Sequence, residues 1–214
     1  MRKLDSSNNM PQRKTKSYII LVGDPPCEAY PVDKDFESLL RAASPLLATK
    51  LDEQKETIPL PTFEPQDFRT YKDWLHARRL APCPKIGLED TTEWRRICQG
   101  YLLGDHLQDF NYCNAMADAL LRAASKVTAE PSKDFLATVE HVFSATGNDS
   151  PIRTLLFDIT FHWVRSGIWK PLLESSPKFT AALCIEQINR SGSIPRSLSR
   201  AGADICKNFL KAHL

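Results

Sequence analysis

Residues Tyr101 to Leu121 read YLLGDHLQDFNYCNAMADALL, and they decide the fold because they encode two consecutive helices and the corner between them. Just upstream, apolar side chains recur at Trp94, Ile97, Cys98, Tyr101 and Leu102, alternating steps of three with steps of one. That pattern belongs to one face of a helix with a single buried side. Gly104 and the polar pair Asp105-His106 are expected to break this helix, after which Asp109 supplies a carboxylate for the first free amides of a second one. The second helix is expected to bury Phe110, Cys113, Ala117, Leu120 and Ala124. Its alanines at 115, 117, 119 and 123 let neighbouring helices approach closely.

Upstream of this pair the chain reads as short strands mixed with helices. Ser17 to Gly23, SYIILVG, is β-branched and aliphatic and stops at a glycine followed by Asp24-Pro25-Pro26, a strand entering a turn. Tyr30 to Lys34 is a second extended piece, and Pro31 within it suits an edge strand, since proline denies the ladder a donor. Asp35 is expected to cap a helix reaching Ala43 that buries Phe36, Leu39 and Leu40. Ser44-Pro45 then marks the end of that helix or the start of the next. Thr57 to Leu60 is a third strand. Pro65 opens a helix carrying Phe68, Tyr71, Trp74 and Leu75 through to Leu80, and 81–89 is a proline-marked loop. Asp90 with Glu93 is spaced as a capping box.

Beyond Pro131 the reading is helical throughout. Ser132 caps a helix with Phe135, Val139, Val142 and Phe143 inward, and Gly147-Asn148 ends it. Ser150-Pro151 starts another with Ile152, Leu155, Leu156, Ile159 and Trp163 inward, ending at Gly167. A further helix is expected from Ser176-Pro177 towards Asn189, then a turn at SGSIPRS and a short helix from Asp204 to Leu214. The order of elements is α+β with an all-α extension. No internal repeat is visible.

Composition narrows the classes of function. The 28 Lys and Arg against 26 Asp and Glu leave a net charge of +2, so nothing favours non-specific nucleic-acid binding. Residues 1–16 concentrate five basic side chains against Asp5 alone, in a polar setting that predicts a disordered basic tail. No apolar run approaches the roughly twenty residues of a bilayer span, and no apolar segment follows the basic start. The expectation is an intracellular protein of cytoplasm or nucleus, without membrane partners. Six cysteines are scattered without a C-x-x-C pair and read as reduced, mostly buried side chains.

No catalytic, cofactor or metal site is expected. The histidines at 76, 106, 141, 162 and 213 lack metal-ligand spacing to each other or to cysteine. Asp105-His106 has no nucleophile elbow to serve, and the eight glycines form no phosphate-cradling loop. FHWVRSGIWK, with Phe161, Trp163, Arg165, Trp169 and Lys170, mixes aromatic and basic residues, but its alternate members are already required for packing.

Several of these pieces together resemble the BTB/POZ family, in particular filamentous-fungal proteins with a BTB domain near the start and a helical tail. They are Val22-Gly23, Tyr30-x-Val32-x-Lys34, Ser44-Pro45, TIPLP from Thr57, EPQDF with YKDWL and RRL, and YLLGDHLQDF with NAMADALL. The resemblance implies a BTB/POZ-like helical cluster flanked by a small sheet over residues 17–126, and a helical extension over 131–214 packed on it. It also implies a non-catalytic protein-protein interaction module, forming homo- or hetero-oligomers. Tyr18, Ile19, Ile20 and Leu21 would then be a dimer strand. A substrate adaptor of a cullin-type ubiquitin ligase is the alternative, with Leu51 and Glu53 as the cullin contact. An enzyme with an unrecognised site ranks last. The chain departs from the family in carrying Asp33 where histidine is usual, and in a short interval between Pro45 and Glu56.

Overall fold

A computed structural model describes residues 17–53, 55–78, 80, 91–124, 133–147, 149–165, 182, 183 and 185. Among them, seven helices accompany one three-stranded sheet, an α+β arrangement. β1 (Tyr18–Val22) pairs antiparallel with β2 (Glu28–Val32) and parallel with β3 (Thr57–Leu60), giving the order β2-β1-β3. The turn between β1 and β2 opens at Gly23, whose φ of +92° costs a residue without a Cβ little. A parallel return needs a crossover, and α1 (Lys34–Ala43) with α2 (Pro45–Asp52) supplies it. Tyr18, Ile20, Val22, Tyr30, Val32, Ile58 and Leu60 alternate inward and are buried.

Two boundaries near β2 differ from the sequence reading. β2 lies over Glu28–Val32, and the cap of α1 is Asp33 in place of Asp35. Asp33 is still extended (φ −78°, ψ 175°), so its carboxylate reaches forward to accept from the Phe36 N–H at 2.8 Å. Asp35 falls inside the first turn, where a negative charge still favours the helix N-terminus. Phe36 and Leu40 are buried as expected, and Leu39 is half-buried.

Ser44 joins three elements. Its N–H donates to Leu40 O at 2.9 Å and closes α1, and its hydroxyl oxygen accepts from Leu47 N–H at 3.1 Å and caps α2. The same hydroxyl donates to Leu107 O at 2.5 Å, tying the crossover to the organising helix pair. Ser44 is fully buried, so each of these bonds replaces water that cannot reach it.

α3 (Pro65–Ala77) starts at its proline, and its backbone N–H donors are assisted by Asp67, which accepts from Glu64 N–H at 3.2 Å. It stops at Ala77, short of Leu80, because Arg78 turns left-handed (φ 52°) and donates its N–H to Trp74 O at 2.7 Å. Phe68, Tyr71, Trp74 and Leu75 are buried on one face. Tyr30 clamps the sheet to this helix, with its ring 4.8 Å from Phe68 and its hydroxyl donating to Pro65 O at 2.9 Å.

α4 (Thr91–Leu107) and α5 (Phe110–Ala124) form the organising pair. The corner lies at Gln108-Asp109, and Gly104, Asp105 and His106 continue the helix. Gln108 adopts φ 59°, with Gln108 N–H on Asp105 O at 3.1 Å and Asp109 N–H on Gly104 O at 2.8 Å. Gly104 is therefore no breaker. A Cβ there would lie 2.9 Å from Cys113 Sγ and 3.0 Å from Tyr112 Cδ1, so the glycine lets α4 and α5 touch. The face expected of α5 is rotated: Tyr112, Cys113, Met116, Ala119, Leu120, Ala123 and Ala124 are buried, Ala117 is half-buried and Phe110 is 68% exposed. The aromatic cluster of α3 accounts for this. Tyr112 packs edge-on to Tyr71 at 4.9 Å and tilted on Trp74 at 5.1 Å, which pulls that side of α5 inward.

α6 (Lys133–Ala145) and α7 (Pro151–Arg165) follow. Phe135, Val139 and Val142 are buried, and Phe135 meets Trp94 of α4 edge-on at 5.0 Å. On α7, Ile152, Leu156 and Ile159 are buried and Leu155 is half-buried. The guanidinium of Arg153 donates to Phe143 O and Thr146 O, closing the free end of α6, and stands 4.9 Å over the Phe143 ring. Ala182, Leu183 and Ile185 are helical and Leu183 is fully buried. The expectations for the basic tail at 1–16, the loop at 81–89, Asp90, Ser132, Asn148, the Phe161 and Trp163 side chains, Gly167 and the remainder to Leu214 fall outside the described residues. Among the described residues no helix is long and apolar enough to cross a membrane.

Candidate interaction surface

The parallel and antiparallel ladders fix which way each strand presents its backbone. Ile19 N–H donates to Glu56 O at 2.9 Å and Gly23 N–H to Leu60 O at 3.1 Å, so the odd residues of β1 bond towards β3. Its even residues then bond towards β2, opposite Val32, Tyr30 and Glu28. The intervening residues of the outer strands, Ala29 and Pro31 on β2 and Thr57 and Pro59 on β3, aim their backbones away from β1, at the two edges of the sheet formed by the described residues. A proline stands on each edge where an outward N–H would otherwise be. Both edges are thereby poor templates for another strand.

The outer face of the sheet is a different surface. The register places Ile19 between Pro31 and Thr57 in one row, and Leu21 between Ala29 and Pro59 in the next. Ile19 is 36% exposed and Leu21 half-buried, while the four flanking residues are exposed. None of the six carries a charge. Of the four residues expected to form a dimer strand, Ile19 and Leu21 point outward, and Tyr18 and Ile20 are buried in the core.

The tripeptide from Leu51 to Glu53 is placed otherwise. Leu51 is fully buried at the end of α2, so it offers no apolar contact to a partner. Asp52 pairs with Arg41 at 2.6 Å, and Glu53 pairs with Lys55 at 2.9 Å and Lys50 at 3.5 Å. These exposed pairs contribute little to stability and tie the end of α2 to its neighbours.

Beneath the sheet and helices lies a buried polar junction. The Asp109 carboxylate accepts from Tyr112 N–H at 3.0 Å, as a cap, and from the Tyr71 hydroxyl at 3.0 Å. Burial, then the nearby Asp109 charge, pushes the Tyr71 phenol well above its ordinary range, so it remains a donor at neutral pH. Burial likewise raises Tyr112, whose hydroxyl has no hydrogen-bond partner among the described residues. Burial pushes the Cys98 and Cys113 thiols up to about 12, far from the thiolate that nucleophilic or redox chemistry requires. Burial also raises the Asp67 carboxyl to about 6, against the hydrogen bond from Glu64 and the charges of Arg95 and Arg96.

His76 stacks on Phe36 with ring centroids 5.8 Å apart, and His106 tilts on Phe63 at 5.3 Å. Among the described residues, no three His, Cys, Asp or Glu side chains gather as a metal site. What sequence reasoning missed is the pairing of outward rows. The alternation within SYIILVG carried the signal for Ile19 and Leu21, but Ala29, Pro31, Thr57 and Pro59 join them only through the register. The chain matches no protein-family model and no curated protein.

Proposed function

We propose that this chain is a non-catalytic, BTB/POZ-like protein-interaction module that joins homo- or hetero-oligomers through the outer face of its sheet. One observation carries the reading: six uncharged residues centred on Ile19 and Leu21 face outward together, on a sheet whose two edges are each blocked by a proline. Such a surface favours side-chain docking over strand addition. The adaptor alternative loses its motif with the burial of Leu51, and no observation favours it.

The test compares wild type, Ile19→Glu and Ile20→Glu. Ile19→Glu is expected to keep the circular dichroism of the wild type and to lose specific associations, read as molar mass by light scattering for self-association and as captured proteins by quantitative mass spectrometry. Ile20→Glu is expected to unfold, because Ile20 is fully buried. Unchanged mass and unchanged captured proteins for a folded Ile19→Glu would refute the proposal.

A further inference from the structure

The first turn of α3 is where the sheet meets that helix. Tyr30 of β2 donates its hydroxyl to Pro65 O at 2.9 Å and sets its ring 4.8 Å from Phe68. Gly23, at the end of β1, runs so close that a Cβ there would lie 3.5 Å from Pro65 Cδ. Between Pro65 and Phe68 stands Asp67, buried, its carboxylate accepting from Glu64 N–H at 3.2 Å. Among the described residues that is its one side-chain hydrogen bond, and it forms no ion pair.

The polar groups around it are committed elsewhere. Arg95 of α4 pairs with Glu64 at 2.8 Å, and Arg96 with Glu93 at 3.4 Å. On α5, Asp109 takes the Tyr71 hydroxyl, and the Tyr112 hydroxyl makes no hydrogen bond among the described residues. Arg69, two residues further along α3, turns to Glu28 of β2 at 2.6 Å. A buried carboxyl with one amide donor and no cation of its own is far easier to keep neutral than charged.

We propose that Asp67 is a pH-sensitive latch on the sheet: as a neutral acid it stays seated against α4 and α5, and as a carboxylate it draws the first turn of α3 towards water, loosening the sheet that Tyr30 ties to that turn. The latch does not depend on what the outer face of the sheet binds. Burial, the largest influence, lifts the Asp67 pKa from 3.8 to about 6, with the Glu64 charge adding to it and the Glu64 N–H, Arg95 and Arg96 opposing. The native state thus prefers the proton, so the latch is strongest below about pH 4 and weakens as the pH rises to about 6.

Hydrogen exchange by NMR on the full chain, at pH 5 and pH 7.5, tests this once each rate is divided by its unstructured value to give an opening constant. The amides of Ile20 and Tyr30 in the sheet and of Phe68 in α3 are expected to open together, and more often than that of Leu120 in the core of α5. Their opening constants are expected to rise about tenfold between the two pH values, the ratio that follows from the shifted pKa. In Asp67→Asn they should not change. Sheet amides that open equally at both pH values, that keep their pH dependence in Asp67→Asn, or that open only together with Leu120 would overturn the latch. If Asp67→Asn fails to fold, the wild type decides it through the carbon resonance of the Asp67 carboxyl. A midpoint near pH 6 shared with the sheet amides supports the proposal, and one near pH 4 overturns it.

Discussion

Asp67 is a carboxyl with 7% of its surface exposed, at the start of α3. Burial raises its pKa from 3.8 to about 6. The native state therefore binds the proton more tightly than the unfolded chain does, and stability on this account is greatest below about pH 4 and falls as the pH rises towards 6. Above that the penalty is constant. Asn at this position still accepts from the Glu64 N–H but cannot ionise. Asp67→Asn is thus expected to stabilise the protein at pH 7 relative to pH 4, by on the order of 2–3 kcal/mol in the wild-type-to-variant difference. Urea denaturation at both pH values measures it, and parallel stability curves for the two proteins would contradict the burial of this carboxyl. Asp67 was legible in the sequence as a polar residue in a first helical turn. Its burial was not, because the groups around it come from distant elements: Arg95 and Arg96 of α4 act on its charge, and Tyr112 of α5 feels it.

At the scale of elements, the α4–α5 pair depends on two glycines of unequal tolerance. A Cβ on Gly100 would stand 2.8 Å from Met116 Cε and 2.9 Å from Sδ, the end of a flexible side chain that can move aside. A Cβ on Gly104 meets Cys113 Sγ at 2.9 Å and also Cys113 N at 3.3 Å, and backbone does not move aside. Alanine gains about 1 kcal/mol of helix propensity at either site. Gly100→Ala is expected to be near neutral, whereas Gly104→Ala loses about 1–3 kcal/mol through overpacking. Equal stabilities by chemical denaturation would mean that the two helices do not meet so closely. Asp109 could be read as a cap from its place in the sequence, since the amide it serves is three residues on. The corner itself was misplaced by a few residues, because Gly104 looks the same in sequence whether it ends a helix or makes room for another.

For the molecule as a whole, the question is whether the helical extension belongs to the same cooperative unit. Trp94 of α4 is almost fully buried and rests on Phe135 of α6, while Val139, Val142, Ile152, Leu156 and Leu183 join the same apolar cluster as the sheet. Ending the chain after Ser125 removes that cover. Re-exposing Trp94 and its neighbours costs roughly 1.5–3 kcal/mol per side chain, so the shortened protein is expected to melt well below the full chain or to precipitate. Equal melting temperatures by calorimetry would make the extension an independent lobe. Sequence by itself determined the local events: strands where β-branched residues run between turn formers, helix starts at Pro45, Pro65 and Pro151, caps at Ser44 and Asp109, and the edge position of Pro31. Each of these signals acts within three or four residues of chain. Tertiary structure alone decided which side of α5 is buried, that Leu51 lies in the core, and that Ile19 and Leu21 share an uncharged face with Ala29, Pro31, Thr57 and Pro59. Burial is a property of the neighbour that arrives, and those neighbours come from distant parts of the sequence.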